Sequence, residues 1–182
     1  MNSQTTIEKE RKFLVGGNPQ VFLQWLKENY VKSELIFQVY LNTDPDNEVR
    51  LRMCIDGATD VTTYHKFTKK LVGEGESLDR VETDDIITKS EFDELTRRLR
   101  VYVPITKDRY WIDKNITFDV FTLEDYIQDE VLLEVEYPDE DCITKNTAFL
   151  KFFSEKFPIK EVTHEKEWRN ANIFNHINRL LK

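Results

Sequence analysis

Hydrophobic and polar residues alternate along most of this chain, which is the pattern of strands in an antiparallel sheet. Turn-forming residues such as the run from Asn42 to Asn47 and the pair Asp56-Gly57 separate the alternating segments and imply hairpins. We predict eight strands, at residues 6–15, 34–42, 48–56, 60–68, 78–87, 102–112, 115–122 and 131–137. The periodicity leaves open whether such a sheet closes into a barrel or stays open.

Four further segments show helical signals. Pro19 follows Gly16-Gly17-Asn18 and suits a first helical turn, and Ser90 precedes acidic residues that favour a helix start. We predict helices over residues 19–30, 90–99, 147–155 and 165–181. The polar segment 69–77 and the acidic segment 123–130 are predicted to be loops.

The composition is that of one soluble globular domain over residues 1–182, because 40% of the residues are hydrophobic and 33% are charged. No apolar run approaches the roughly 20 residues needed to cross a bilayer, and no signal peptide is visible. The two cysteines, Cys54 and Cys142, have neither disulfide nor metal-type spacing. We therefore expect a cytoplasmic protein. Whether it is a monomer or a homodimer stays open.

The formal net charge of −8 disfavours binding to nucleic acid or to an anionic membrane. An anionic ligand would need a local basic cavity. The charged residues suggest one, since many recur at every second position of a predicted strand and so share a face. The acidic members are Glu8, Glu10, Asp119, Glu134 and Glu136. The basic members are Lys12, Arg50, Arg52, Lys66, Lys107 and Arg109.

These two sets suit a complex of a metal ion with a polyphosphate. Mg²⁺ and Mn²⁺ prefer carboxylate oxygens, and arginine forks match phosphate oxygens. A half-buried sheet with a solvated polar face would show a similar alternation. Like-signed charges two positions apart on one strand do not stabilise each other, so their recurrence favours a charged cavity over a solvated face.

Two strands need a specific assignment of faces. On the strand at 60–68 we place Lys66 with Tyr64, opposite Phe67, and give His65 a surface or packing role. On the strand at 78–87 the aligned residues are Arg80, Glu82 and Asp84.

Six segments in order, and in addition a C-terminal segment, resemble the CYTH family, the triphosphate tunnel metalloenzymes. The run from Glu8 to Val15 resembles the family's opening ExExK signature, and Glu161-Val162-Thr163 with Asn170 is similar to the tail of short bacterial triphosphatases. The other matching segments are Gln38-Val39-Tyr40-Leu41, Val49-Arg50-Leu51-Arg52, Lys107-Asp108-Arg109-Tyr110, Phe118-Asp119-Val120-Phe121 and Leu133-Glu134-Val135-Glu136-Tyr137.

The resemblance implies an α+β, mainly β fold: a closed eight-stranded antiparallel barrel that forms a tunnel, with helices packed outside. It implies Mg²⁺ or Mn²⁺ as cofactor. The implied metal ligands are Glu8, Glu10, Asp119, Glu134 and Glu136. The implied phosphate-binding residues are Lys12, Arg50, Arg52, Lys66, Arg80, Lys107 and Arg109. The acids Glu82 and Asp84 form a second tier of candidate site residues.

The resemblance also implies a catalytic role for the pair Lys12 and Tyr40. A nearby ammonium lowers the pKa of a phenol, so Tyr40 could accept a proton from water. Two alternatives stay open: Tyr40 only positions water, or the metal activates it. This chain departs from the family pattern around Lys66, and the phosphate-binding lysine could instead be Lys69 or Lys70.

The resulting hypothesis is a metal-dependent triphosphatase, with a small triphosphate as its partner and inorganic triphosphate as the favoured substrate. Thiamine triphosphate and nucleoside triphosphates remain alternatives. So do a class IV-type adenylate cyclase, which makes cyclic AMP and pyrophosphate, and a non-catalytic polyphosphate or nucleotide sensor.

Overall fold

The computed structural model describes residues 4–8, 10–71, 80–99, 102–123 and 127–179. Within these ranges the strands are β1 (Gln4–Glu8), β2 (Glu10–Val15), β3 (Lys32–Asn42), β4 (Glu48–Asp56), β5 (Thr62–Leu71), β6 (Arg80–Ile87), β7 (Ile105–Asp113), β8 (Ile116–Leu123), β9 (Ile127–Glu136) and β10 (Ile159–Glu161). The helices are α1 (Pro19–Asn29), α2 (Lys89–Thr96), α3 (Glu140–Ser154) and α4 (Asn170–Arg179), and a 3₁₀ turn spans Lys166–Trp168.

The ten strand segments form one antiparallel sheet in the order β1-β6-β5-β4-β3-β7-β8-β9-β2-β10. The mainly β, α+β prediction is therefore confirmed. The first predicted strand is two segments with different partners, because β1 pairs with β6 while β2 pairs with β9. Among the described residues no pairing joins the two ends of this order, so closure of the sheet stays a prediction.

Strands extend into both of the segments predicted to be loops, 69–77 and 123–130. β5 continues to Leu71, and β9 already begins at Ile127. The remaining positions of the predicted loops, 72–77 and 124–126, fall outside the part of the chain that the structure describes. The extension of β5 matters for the site because it brings Lys69 into the sheet.

Side-chain caps mark the start of α1, α2 and α3. The Asn18 side chain accepts hydrogen bonds from the first-turn amides of α1, with Pro19 in the first turn as predicted. In α2 the cap is Thr88 rather than Ser90, since Thr88 and Glu91 form a reciprocal capping box. Asp139 caps α3, which therefore starts well before the predicted position 147.

The helices cover apolar side chains of the sheet in two clusters. In one, Phe22 of α1 and Phe153 of α3 pack on Phe118 of β8, with ring centroids 5.3 and 5.2 Å from that of Phe118. In the other, Phe174 of α4 packs on the ring of Tyr40. The helices that the structure describes include none with the length and apolarity to cross a membrane.

Candidate active site

Charged side chains from several strands collect on one face of the sheet. Directly opposed residues of neighbouring strands share a face, and Tyr40 is opposed to Arg50 just as Gln38 is opposed to Arg52. All four side chains are buried. Because successive residues alternate, the apolar Leu51 between the two arginines points to the other side of the sheet.

A cluster on β7, β8 and β9 centres on Arg109. Its guanidinium donates to both oxygens of Asp119, at 2.6 and 2.7 Å, and to Glu134 at 2.6 Å. The ammonium of Lys107 also donates to Asp119. Lys107 and Asp119 are completely buried. Two carboxylates are therefore held between cations in a site from which water is largely excluded.

Lys12 extends this cluster onto β2. Its ammonium lies 2.8 Å from Glu134 and 3.0 Å from Glu10. The β2–β9 register opposes Lys12 to Glu134 and Glu10 to Glu136, so the four residues share a face. Lys12 and Glu134 are largely shielded from solvent, whereas Glu136 is exposed.

The cluster shifts the pKa of its members in opposite directions. Burial acts to raise the pKa of Asp119 and Glu134, but the neighbouring cations outweigh it and hold both values below the usual range. Burial lowers the pKa of Lys107 to about 7, partly opposed by the charge of Asp119. Burial also opposes the charged form of Arg109, yet the two carboxylates raise its pKa overall.

A second charged cluster lies on β4, β5 and β6. Arg50 donates to Glu82 at 2.6 Å, and Lys69 lies 3.1 Å from the same carboxylate. Burial acts to raise the pKa of Glu82, but Arg50, Lys69 and Arg52 together lower it to about 2. Glu82, which the sequence places in a second tier, is therefore an anionic partner that Arg50 and Lys69 share.

An aromatic ring and an amide orient the two arginines of this cluster. The guanidinium carbons of Arg50 and Arg52 lie 4.6 and 4.7 Å from the ring centroid of Phe67. Arg52 also donates to Gln38 Oε1 at 3.2 and 2.9 Å, and Gln38 Nε2 donates to the hydroxyl of Tyr40 at 2.7 Å. Two planar cations are thus held in fixed orientations before any ligand is present.

The structure does not bring Lys66 to this face. In the β4–β5 register Lys66 opposes Leu51, while Phe67 opposes Arg50 and Lys69 opposes Glu48. The prediction had treated Phe67 as a residue of the apolar side. Phe67 instead lies on the face of the arginines. Because side chains alternate along β5, the lysine of this strand that shares that face is Lys69, one of the two alternatives left open by the sequence.

Tyr40 lies on the charged face but not in a setting that favours a phenolate. Burial raises the pKa of its hydroxyl, and the negative charge of Glu48 acts in the same direction. Arg50 and Arg52 oppose this shift without reversing it. The hydroxyl accepts a hydrogen bond from Gln38 in the neutral form, which suits a role in positioning.

His65 is predicted from the sequence to have only a surface or packing role. The register opposes it to Arg52, on the charged face, and its ring stacks on Phe67. Its ring nitrogens lie 2.9 Å from Asp84 Oδ1 and 3.0 Å from Thr63 Oγ1. The signal was present in the sequence, since His65, Phe67 and Lys69 follow one another at every second position.

The remaining predicted site residues are Glu8 and Arg80. The β1–β6 register pairs them directly, so their main chains lie opposite each other. Their side chains lie outside the described part of the structure.

The donor chemistry of the site fits a hard divalent cation. Asp119, Glu134 and Glu10 offer carboxylate oxygens, which Mg²⁺ and Mn²⁺ prefer. Among the described side chains, no group of three or more acids, histidines or cysteines converges on one point. The oxygens of Asp119 and Glu134 are instead engaged by lysine and arginine, so a cation would bind there in exchange for those partners.

Comparison with known proteins gives matches among solved structures only. No family model and no curated protein matches this chain. The inorganic triphosphatase NE1496 matches over 92% of this chain and 93% of its own, with 26% identity and a TM-score of 0.50. HpAC1 from Hippeastrum, for which a dominant triphosphatase activity is described, matches over 82% and 87%, with 14% identity and a TM-score of 0.52.

A third match is the PH1819 protein of Pyrococcus horikoshii, with 17% identity and a TM-score of 0.52 over 81% of this chain and 89% of that one. The structural neighbours of the chain thus include CYTH-type proteins, among them an inorganic triphosphatase and a protein described as an adenylyl cyclase with dominant triphosphatase activity. They confirm the resemblance that the sequence motifs predicted. The more distant matches show the shared fold.

Proposed function

We propose that this protein hydrolyses inorganic triphosphate with the help of Mg²⁺ or Mn²⁺. The observation that carries the proposal is the buried arrangement of Arg109 between Asp119 and Glu134, with Lys107 and Lys12 on the same carboxylates. A site built for anion capture alone would need the cations and not these buried acids. The likeness to NE1496, at 26% identity over nearly the whole chain, supports triphosphate as the substrate class.

We further infer that the sheet curls until its edges meet and forms a tunnel. β1 and β2 are consecutive along the chain, yet β1 pairs with β6 and β2 pairs with β9. Glu8 and Glu10, which end and begin these strands, are separated by one residue and hence by no more than about 7 Å. Continuity of the chain at this point supports a closed sheet, in which the two charged clusters would line a common interior.

Cations from both clusters would bind the phosphates of the substrate. Arg50, Arg52 and Arg109 present planar forks for phosphate oxygens, and Lys12 and Lys69 add point charges. A triphosphate that replaces Glu82, Asp119 and Glu134 as the partner of the cations paired with them gains charge-assisted hydrogen bonds without leaving a buried cation unpaired.

The exchange of partners also frees the carboxylates. Asp119, Glu134 and Glu10, together with Glu8 and Glu136, would then hold the metal ion. When bound, that ion supplies charge neutralisation and lowers the pKa of a coordinated water.

The chain's own residues supply the rest of the chemistry. As the bond to the leaving group breaks, negative charge increases on the phosphate next to it. The ammonium of Lys12 would stay in contact with that phosphate and stabilise this charge, and Arg109 would stabilise the same charge. Tyr40 would act through Gln38, by keeping the guanidinium of Arg52 directed at the phosphates. Tyr40 is therefore proposed as a positioning residue, since burial disfavours the phenolate that a general base requires.

Product identity tests the proposal. The purified protein is incubated with Mg²⁺ or Mn²⁺ and, in separate reactions, with inorganic triphosphate, thiamine triphosphate and ATP. We expect orthophosphate release that is fastest with inorganic triphosphate, and a loss of at least about 100-fold in Glu134→Gln. Cyclic AMP with pyrophosphate would assign the protein to the cyclases, and binding without turnover of any substrate would assign it to the sensors.

A further inference from the structure

The main chain of Lys12 lies at the end of a short ladder between β2 and β10. The pairs Val15–Ile159, Leu14–Lys160 and Phe13–Glu161 form that ladder, and β10 ends there. One position further, the amide of Val162 donates to the carbonyl of Lys12 at 2.8 Å. The C-terminal segment therefore holds the carbonyl of Lys12 although the strand that brought it there has ended.

The amide of Lys12 is held by a side chain. It donates to Thr163 Oγ1 at 3.0 Å, so the hydroxyl takes the place that a main-chain carbonyl has in a regular ladder. The same hydroxyl donates to Glu161 Oε1 at 2.8 Å. Because its proton is directed at this carboxylate, a lone pair of the oxygen is left for the amide of Lys12.

Glu161 is itself paired, in a contact that is partly exposed to solvent. Its two oxygens accept from the guanidinium of Arg11 at 2.9 and 2.5 Å. Arg11 precedes Lys12 on β2. The contacts that run from Lys12 through Thr163 and Glu161 therefore lead back to β2. Arg11, Glu161 and Thr163 form a closed set of contacts around the main chain of Lys12, and we call this set the Lys12 clamp.

The same C-terminal segment also contacts the second residue of the predicted catalytic pair. Val162 is buried in a cluster that contains Tyr40 and Phe174, and the rings of Tyr40 and Phe174 lie 5.3 Å apart. Segment 159–179 thus touches the main chain of Lys12 at one end and the ring of Tyr40 at the other.

We propose that Thr163 is a positioning residue for catalysis: its hydroxyl fixes the main chain of Lys12 so that the ammonium stays directed at Glu134 and at the phosphate that replaces it. The proposal rests on the proposed function for the role of Lys12. A lysine ammonium sits at the end of a flexible stem, so its position depends on a rigid main chain beneath it.

Isosteric replacement tests the clamp. Thr163→Val removes the hydroxyl and keeps the shape, Thr163→Ser restores the hydroxyl, and Glu165→Gln weakens the Lys160–Glu165 pair of the same segment without touching β2. We expect kcat for triphosphate to fall about 10- to 100-fold in Thr163→Val. Thr163→Ser and Glu165→Gln should keep activity close to that of the original chain.

Amide hydrogen exchange gives a second measurement that does not depend on turnover. The Lys12 amide should exchange faster in Thr163→Val than in Thr163→Ser, while the amides of α3 keep their protection. If both variants show the same kcat and the same exchange at Lys12, the clamp is overturned. If the original chain hydrolyses no triphosphate, the proposed function fails, and the exchange at Lys12 still decides whether the clamp exists.

Discussion

Arg109 and Asp119 oppose each other on neighbouring antiparallel strands, and the guanidinium holds both oxygens of the carboxylate at 2.6 and 2.7 Å. The carboxylate is completely buried and also accepts from the buried ammonium of Lys107. Such a group is costly to leave unpaired, because the charges around it cannot regain water. The stability of this part of the sheet therefore depends on a residue that we also propose as a metal ligand.

Removal of the Asp119 charge should destabilise the protein strongly. Asp119→Asn keeps the shape but leaves Lys107 without its buried counter-charge, and we expect a loss of about 3–5 kcal/mol in the free energy of unfolding. Urea titration measures it. Asp113→Asn is the matched control, because Asp113 pairs with an exposed lysine and should cost less than about 1 kcal/mol. Equal losses in the two variants would contradict the buried pairing.

The two lysines of β5 should differ in their effect on substrate binding. Lys69→Ala removes a cation that shares a face with Arg50, whereas Lys66→Ala alters the opposite face of the same strand. We expect KM for triphosphate to rise about tenfold or more in Lys69→Ala, and to stay near its original value in Lys66→Ala. The reverse order would support the family-based assignment to Lys66.

Tyr40→Phe distinguishes a positioning role from a general base. The variant removes the hydroxyl that accepts from Gln38, so Arg52 loses part of its support and KM should rise. Because burial raises the pKa of the hydroxyl, we expect kcat to fall by less than about tenfold. Steady-state kinetics over a range of pH gives both constants. A fall in kcat of several orders of magnitude, with KM unchanged, would establish Tyr40 as the base.

The stabilising effect of the Glu82 carboxylate should be lost in acid. Its pKa is about 2 in the folded protein, whereas a glutamate ordinarily has a pKa of 4.5, so in moderate acid the unfolded chain binds a proton that the folded protein does not. The stabilisation is fully present above pH 4.5 and is lost as the pH falls toward 2. Unfolding by urea between pH 3 and 6 should therefore depend less on pH in Glu82→Gln.

The control for this prediction is Glu94→Gln, which alters an exposed ion pair with Arg98. An exposed carboxylate gains little from its partner, so this variant should follow the original pH dependence. If Glu82→Gln also follows it, the ion pairs around Glu82 are not the source of the acid sensitivity.

Alternation along the chain predicted much of the fold. The strands at 48–56 and 34–42 match β4 and β3 within a few residues, because a half-buried strand repeats every two positions and that repeat is visible locally. The start of α3 was missed because its helical spacing is weak, although Asp139 and the acidic first-turn residues Glu140 and Asp141 mark it. β10 was missed for a similar reason: three residues are too few to show a period.

The sequence by itself determined which charged residues share a face along one strand, as it did for Arg50 with Arg52, because the pleat depends only on neighbouring residues. It did not determine how the strands align. Lys69 rather than Lys66 reaches the arginines because of the β4–β5 register, and Arg109 meets Asp119 and Glu134 because β7, β8 and β9 are neighbours. Only the tertiary structure decided these contacts, since hydrogen bonds between segments far apart in the chain set the register.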